Sequence, residues 1–307
     1  MKKYYLGIDV GGTAVKIGIV DQEGNIAAKT EAPVNHDGYK TPVIETVLRT
    51  AEAFLAERPE KVLGVGVSAT GQIDTKRVYV AGTCGNVSGW RYTEIGKMVN
   101  ERLHLPCSAN NDANCMCLGE AWIGAAKGYT DVIGITLGTG VGGGIITGGK
   151  ILGGIRGIGG EIGHFTTHAI DGELCACGQR GCWERYASTS ALVRKAQKID
   201  PSLENGRIIF SRAAEGDETV LKLLDWWTDE IAAGIIGFVH VFNPQIVLIG
   251  GGVSTQEEFL IAPVRKKVLD HIMLAFVDGL KIERATLGND AGLVGAVYDF
   301  MTTHPEI

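Results

Sequence analysis

Twice in this chain a short apolar strand runs into a glycine turn and comes straight back as a second apolar strand. That pattern restricts the fold more than any other feature of the sequence. The first copy is Leu6 to Asp9, Gly11-Gly12-Thr13, then Val15 to Val20; the second is Val132 to Leu137, Gly138-Thr139-Gly140, then Val141 to Thr147. Gly7-Ile8 before Gly11 matches Gly134-Ile135 before Gly138 at the same offsets. We read an internal duplication in which each of two α/β domains opens with a strand, a glycine turn and a returning strand. The length of 307 residues suits two cores better than one.

Between the copies, the pattern predicts a third strand over Ile26 to Glu31 and a helix begun by Thr41-Pro42, with an apolar face of Val43, Val47, Leu48, Ala51 and Leu55. A strand over Val62 to Val67, a helix over Ile95 to Leu103, a strand over Cys107 to Asn110 and a helix over Ala113 to Ala125 follow. After the second copy, Ser188 or Thr189 caps a helix through Lys198, and Glu218 to Val241 reads as one long helix. A buried strand, Ile246 to Ile249, ends in Gly250-Gly251-Gly252; Thr255 with Glu258 forms a capping-box pattern for the next helix, and Leu293 to Met301 is the last helix. No long linker marks the boundary. The expected division is a smaller N-terminal domain over 1–118 and a larger one over 119–291, with a C-terminal helix in 292–307 packing back on the first.

Glycines between strands let backbone N–H groups converge on an anion, because no Cβ blocks the approach. Thr13 and Thr139 add hydroxyl donors, and Asp9 at its strand end is placed to hold Mg²⁺ directly or through water. The expected cofactor-binding set is Asp9, Gly11, Gly12, Thr13, Lys16, Gly138, Thr139 and Gly140, with Gly250, Gly251 and Gly252 suited to a flat base or ribose. Two rival motifs fail on context. Gly138-x-Gly140-x-x-Gly143 has the dinucleotide spacing, but strand-like Ile-Ile-Thr follows where that motif needs a helix. Gly144-x-x-x-x-Gly149-Lys150 is followed by Ile151, which has no hydroxyl for Mg²⁺.

Asn110-Asn111-Asp112 ends a strand and precedes a helix, so Asp112 is held rigidly enough to accept a proton from an acceptor hydroxyl; helix capping is its competing role. His164, Cys175, Cys177 and Cys182 have the residue types and spacing of a closed tetrahedral zinc site, with His168 a rival fourth ligand. Glu161 and Glu184 flank that loop, and a carboxylate accepts two hydroxyl hydrogen bonds, which suits sugar recognition. Composition narrows the rest. A net charge of -6 with no basic run argues against nucleic acid, and an odd count of 7 Cys does not read as a disulfide framework. Asp9 interrupts any signal-peptide core and no long apolar run exists, so a reduced, cytoplasmic protein without a membrane span is expected.

Together these residues resemble the ROK family (repressors, open reading frames and sugar kinases), from the Asp9 turn to Gly295. The carrying motifs are DVGGT at 9–13, NDAN at 111–114, LGTGVGGG at 137–144, EIGH at 161–164, CACGQRGCWE at 175–184 and the triple glycine at 250. The resemblance implies a two-domain, actin-like (ribonuclease-H-like) α/β fold and an ATP- and Mg²⁺-dependent sugar kinase. It makes Asp112 the catalytic base and puts Gly71, Asn86, Asn111, Asp112, Glu161, His164 and Glu184 at the sugar. It gives His164, Cys175, Cys177 and Cys182 to structural Zn²⁺, and it implies a homodimer or larger assembly. Thr70-Gly71-Gln72 stands where the family often has Pro-Gly, and Asn110 where it often has an acid. Both lie near the expected sugar pocket, so the sugar stays open among glucose, mannose and their N-acetylated amines. With the first strand beginning by Tyr4, a repressor's DNA-binding region ahead of it is not expected. The expected reaction is transfer of the ATP γ-phosphate to the 6-hydroxyl of a hexose or N-acetylhexosamine. A sugar sensor without catalysis and a nicotinamide oxidoreductase are the competing functions.

Overall fold

The structure is a computed structural model that describes residues 2–35, 37–83 and 87–307. The chain forms two compact units, Met1–Gly128 with Ile151–Gly160 and Asn289–Ile307, and Tyr129–Lys150 with Glu161–Gly288.

The first unit begins with strands Tyr4–Val10 (β1), Ala14–Asp21 (β2) and Ile26–Pro33 (β3), then helix Val43–Ala56 (α1). Strand Val62–Ala69 (β4), a small hairpin of Gln72–Asp74 (β5) and Tyr79–Gly82 (β6), helix Ile95–Leu103 (α2), strand Cys107–Asn111 (β7) and helix Asp112–Trp122 (α3) follow. The main sheet has the order β3-β2-β1-β4-β7. β1 and β2 are antiparallel, whereas β4 and β7 run parallel to β1. β1 is apolar from Tyr5 to Ile8 because it is covered on both faces there, with Asp9 near its end half-buried, while β3, on the sheet edge, alternates half-buried and exposed residues. α1 buries Val43, Ile44, Val47, Leu48, Ala51 and Phe54; Phe54 takes the inward place expected of Leu55.

The second unit repeats this plan with Val132–Leu137 (β8), Val141–Thr147 (β9) and Lys150–Ile151 (β10). Helices Glu184–Ala187 (α4), Thr189–Ile199 (α5), Gly206–Ala214 (α6) and Glu218–Phe242 (α7) precede strand Ile246–Gly250 (β11), helix Ala262–His271 (α8) and strand Lys281–Arg284 (β12). Its sheet order is β10-β9-β8-β11-β12, again an antiparallel hairpin followed by two parallel strands. The glycines match too: Gly7 pairs with Gly18 and Gly134 with Gly144. The two sheets therefore share one topology, which extends the duplication from the turns to the whole layer. The capping box expected at Thr255 and Glu258 does not form. Gln256 precedes a wide turn, Glu257–Ile261, without a side-chain cap, and both Leu260 and Ile261 donate to the Gln256 carbonyl. The widened turn, followed by Pro263 at the start of α8, takes the backbone donors out of the geometry a capping Thr needs.

Helix Ala291–Thr303 (α9) returns to the first unit and packs on β1, β4 and along α3. The boundary expected after residue 118 would cut α3 in two. The first unit instead keeps the chain to Gly128, because α3 lies whole against α9, and it also takes Ile151–Gly160, where Thr75 N–H donates to the Arg156 carbonyl. A Cβ on Gly295 would stand 1.7 Å from the Cys115 carbonyl oxygen, a backbone atom that cannot step aside. Gly295→Ala gains about 1 kcal/mol of helix propensity, but overpacking against a backbone costs roughly 1–3 kcal/mol or more. A fall in Tm of about 5 °C is expected in thermal unfolding. None of the described helices is long and apolar enough to cross a membrane, α7 included.

Candidate active site

Ligands of open α/β sheets sit beyond the carboxyl ends of the strands, and the expected site residues fall there in each unit. In the first unit Asp9 of β1 pairs with Ser68 of β4, and Ala69 of β4 with Asn111 of β7, so Asp9 and the Asn111-Asp112 corner share one sheet edge. In the second, Gly250 of β11 pairs with Thr136 of β8, one residue before Leu137 and the Gly138 turn. Both glycine turns are built alike. Gly11 N–H donates to the Ala14 carbonyl and Gly138 N–H to the Gly140 carbonyl, each at 3.0 Å. The next two N–H groups, on Gly12 and Thr13 and on Thr139 and Gly140, have no acceptor among the described residues. Each turn thus presents a pair of adjacent open donors, the arrangement that takes a phosphate oxygen.

Burial pushes the Asp9 carboxyl above its ordinary range, a shift opposed by the Ser68 hydroxyl, which donates to Oδ1 at 2.7 Å, and by Lys16, 3.7 Å from Oδ2. Lys16 also donates to the Asn289 carbonyl, so it lies on the acid rather than out in solvent. Asn111 is the N-cap of α3: its Oδ1 accepts from Ala113 and Asn114 N–H, and its Nδ2 donates to the Gly71 carbonyl. Asn111 thus takes the cap position, while Asp112, the first helical residue and exposed at the sheet edge, accepts from Ala113 N–H through Oδ1 at 2.9 Å. Asn110 turns inward. Its Nδ2 donates to Asp299 of α9, and its Oδ1 accepts from Asn111 N–H and Asn114 Nδ2. Ser108 donates to the other Asp299 oxygen, and burial pushes that carboxyl up. Asn110 is thus a fully enclosed strut behind the Asp112 corner rather than a residue facing the site. Asn86 lies outside the described residues.

In the second unit a cavity of about 580 Å³ opens beside the Gly138 turn, lined by Thr139, Thr189, Arg194, Asn205, Gly252 and Val253 among others. Gly251 has φ +93°, and a Cβ there would lie 2.2 Å from the Leu137 carbonyl oxygen, so glycine is required for β11 to close on the turn. The N–H groups of Thr189 and Ser190 both donate to the Gly138 carbonyl, fixing α5 to the turn. The Thr189 hydroxyl is buried without a hydrogen-bond partner.

His164, Cys175, Cys177 and Cys182 converge, with all four ligand atoms within 4.8 Å of one another. Cys175 Sγ stands 3.6 Å from His164 Nδ1, and Cys177 Sγ 3.5 Å from Cys182 Sγ. A tetrahedral Zn²⁺ needs sulfur–sulfur edges of roughly 3.8 Å, so the donors fit a closed site. Burial pushes the Cys182 thiol up to about 12, and a bound cation is what would let such a cluster hold thiolates. His168 is not part of it; its ring stacks on Tyr186 at 3.7 Å. The cluster abuts the glycine turn. A Cβ on Gly163 would meet the Val141 carbonyl at 2.0 Å, and buried Trp183 donates to the Glu230 carbonyl on α7. Glu184 joins the two: Oε2 accepts from Val141 N–H at 3.2 Å, and Oε1 from the Cys175 thiol at 3.7 Å. A Cβ on Gly140 would collide with Glu184 Oε2. Glu161 is exposed at the start of the Ile162–His164 turn. Sequence reading missed Ser68, Asp299 and Thr189, because their roles arise from pairing across the fold and no local motif marks them.

Comparison with known proteins agrees with this geometry. The ROK family pattern matches residues 5–302. The glucokinase of Thermotoga maritima is 34% identical over 309 residues, covering 95% of each chain. A ROK family glucokinase from Streptomyces griseus, solved with glucose and AMPPNP, superposes with a TM-score of 0.79 at 33% identity over 97% of this chain and 98% of that one. The ROK hexokinase of Thermus thermophilus does so at 0.84 and 30%, over 99% and 100%. With two repeated α/β units, two open-donor turns and a His/Cys cluster in place, this chain has the two-domain, actin-like ATPase fold and belongs to the ROK family.

Proposed function

We propose that the chain catalyses transfer of the ATP γ-phosphate to the 6-hydroxyl of a hexose or N-acetylhexosamine. It is an ATP-dependent sugar kinase. The observation that carries the reading is the second unit's cavity, which adjoins a turn with two open N–H donors. In phosphoryl transfer the protein mostly positions groups and stabilises charge. The Gly138 turn takes phosphate oxygens, Gly252, with open space at its Cβ position, leaves room for the base and ribose while Gly250 and Gly251 bring β11 close to the turn, and the first turn offers a matching pair of donors with Asp9 for Mg²⁺. Asp112 accepts the proton of the sugar hydroxyl. Glu161 and Glu184 are assigned to sugar hydroxyls, Glu184 through whichever lone pairs Val141 and Cys175 leave open. His164 and the three cysteines hold one Zn²⁺, which orders the loop and takes no part in the chemistry. A cytoplasmic location, where ATP is at hand, is part of this reading. The homodimer remains part of this reading, supported by exposed Val241, Met273 and Leu274, which Met273 N–H donating to His240 keeps together.

A coupled assay of ADP release over glucose, mannose, N-acetylglucosamine and N-acetylmannosamine tests the proposal. Sugar-dependent release with one of them is expected; release with none would favour a sugar sensor. The orphaned Thr189 hydroxyl gives a residue-level check. An unsatisfied buried hydroxyl costs about 1–3 kcal/mol, and a nucleotide in the cavity would satisfy it. Thr189→Val should raise KM for ATP about tenfold with kcat and the sugar KM unchanged, and Thr189→Ser should restore it. An unchanged ATP KM in the Val variant would remove Thr189 from the nucleotide site.

A further inference from the structure

Apart from the residues assigned above, the second unit holds another cavity, of about 460 Å³, walled by α4, α5, α7 and the loop through His168 and Glu173. Arg185, Arg194, Lys195 and Lys198 line it against two carboxylates, Glu173 and Glu230. That leaves two positive charges in excess, on a chain whose net charge is -6.

The carboxylates are already engaged. Glu173 Oε2 accepts from both Arg185 Nη2 and Arg194 Nη2, each at 3.1 Å, so one acid is shared between two guanidinium groups. Glu230 Oε1 accepts from Trp226 Nε1 at 3.0 Å and faces His168 Nε2 at 3.6 Å. The cations are not fully matched. Lys195 lies over the Trp226 ring at 3.7 Å, and neither it nor Lys198 has a carboxylate partner among the described residues. Arg185 Nε is buried with no acceptor at all. Lysines at the end of a helix such as α5 usually just complement its dipole from solvent. A guanidinium N–H enclosed without an acceptor does not fit that account, because such a group is costly to leave unmade.

We infer that this cavity binds a phosphate group, either inorganic phosphate or the phosphate of a monoester. Guanidinium forks match the tetrahedral oxyanion, and the two lysines supply point charges for its second negative charge. Arg185 and Tyr186 stand on α4 directly after Glu184, and Arg194 lines the nucleotide cavity as well. An occupant therefore touches two elements that shape the glycine turn. The inference does not depend on the kinase reading, because its probe is inorganic phosphate and its readout is binding.

The experiment is a titration of the intact protein with inorganic phosphate, followed by tryptophan fluorescence and calorimetry. A saturable signal is expected at or below about 1 mM at roughly 0.1 M ionic strength. The double variant Lys195→Ala, Lys198→Ala should weaken binding at least about tenfold, since each removes one charge-assisted contact. Trp226→Phe should remove the fluorescence change and leave the heat. Tighter binding of glucose 6-phosphate than of phosphate assigns the site to a monoester; equal binding assigns it to phosphate itself. Both lysines are exposed, so the variant should keep the wild-type Tm. No saturable heat, or equal affinity in the folded double variant, would overturn the inference.

Discussion

Replacing Asp112 by Asn should leave sugar binding and stability close to wild type and cut kcat by at least about 100-fold. The expectation rests on how the corner is built. Asn111 is the N-cap of α3, and the Ala113 N–H that Asp112 Oδ1 accepts at 2.9 Å is shared with Asn111, so an Asn at 112, whose amide oxygen accepts equally, removes no cap. What it does remove is one negative charge at a helix N-terminus, a change of about 0.3–1 kcal/mol and only a few degrees of Tm. The amide has nearly the same shape and still accepts a hydrogen bond from a sugar hydroxyl, but it cannot take the proton. A base acts only as the hydroxyl oxygen attacks, so the loss should fall on kcat while the sugar dissociation constant holds. Steady-state kinetics paired with equilibrium sugar binding and a melting curve check this. Near-normal turnover would remove Asp112 as the base. A large fall in Tm would show that its role is structural.

The corner also shows what could be read in advance and what could not. The position of Asp112 was legible because a polar Asn-Asn-Asp run marks the end of one strand and the start of the next helix. The role of Asn110 was not. In sequence it is one more polar residue near the sugar; in the fold it is enclosed and bound to Asp299, 189 positions away. No local pattern reports a partner at that distance. The elements follow the same rule. β8 and β9 are legible to the residue, because glycine ends one apolar run and starts the next. α6, beginning on Gly206 with a single polar turn before it, and β12, only Lys281–Arg284, were missed, since their identity comes from packing on α7 and β11 rather than from their own periodicity. The domain boundary failed for a related reason: the ten residues from Ile151 to Gly160 belong to the first unit through contacts with Thr75, which composition does not reveal.

The metal loop should be the most sensitive part of the second unit. Between His164 and Cys182 the chain carries exposed Phe165, Ile170 and Leu174 and buries little apart from the cluster itself, so it has no core of its own to hold it. Four ligands closing on one ion would replace that core. Cys182 is fully buried, bridges to Thr166, and is followed at once by Trp183, which is locked under α7. Cys182→Ser should therefore bind less than about a tenth of the one zinc equivalent expected in the wild-type chain. Structural zinc contributes many kcal/mol where it orders a loop, so Tm should fall by at least about 10 °C. The kinetic consequence separates this loop from an isolated structural knuckle. Glu184 touches Cys175 on one side and the Val141 N–H on the other, and it fills the space that Gly140 leaves open. When the cluster loosens, Glu184 loses its anchor and the glycine turn loses a partner. KM for ATP should then rise together with KM for the sugar, by about tenfold each, and both should recover when the wild-type protein is stripped by chelator and given zinc again. An effect on the sugar alone would confine the loop to sugar recognition and break the proposed link to the turn. Metal analysis that finds no zinc in protein purified without chelator would remove the site altogether.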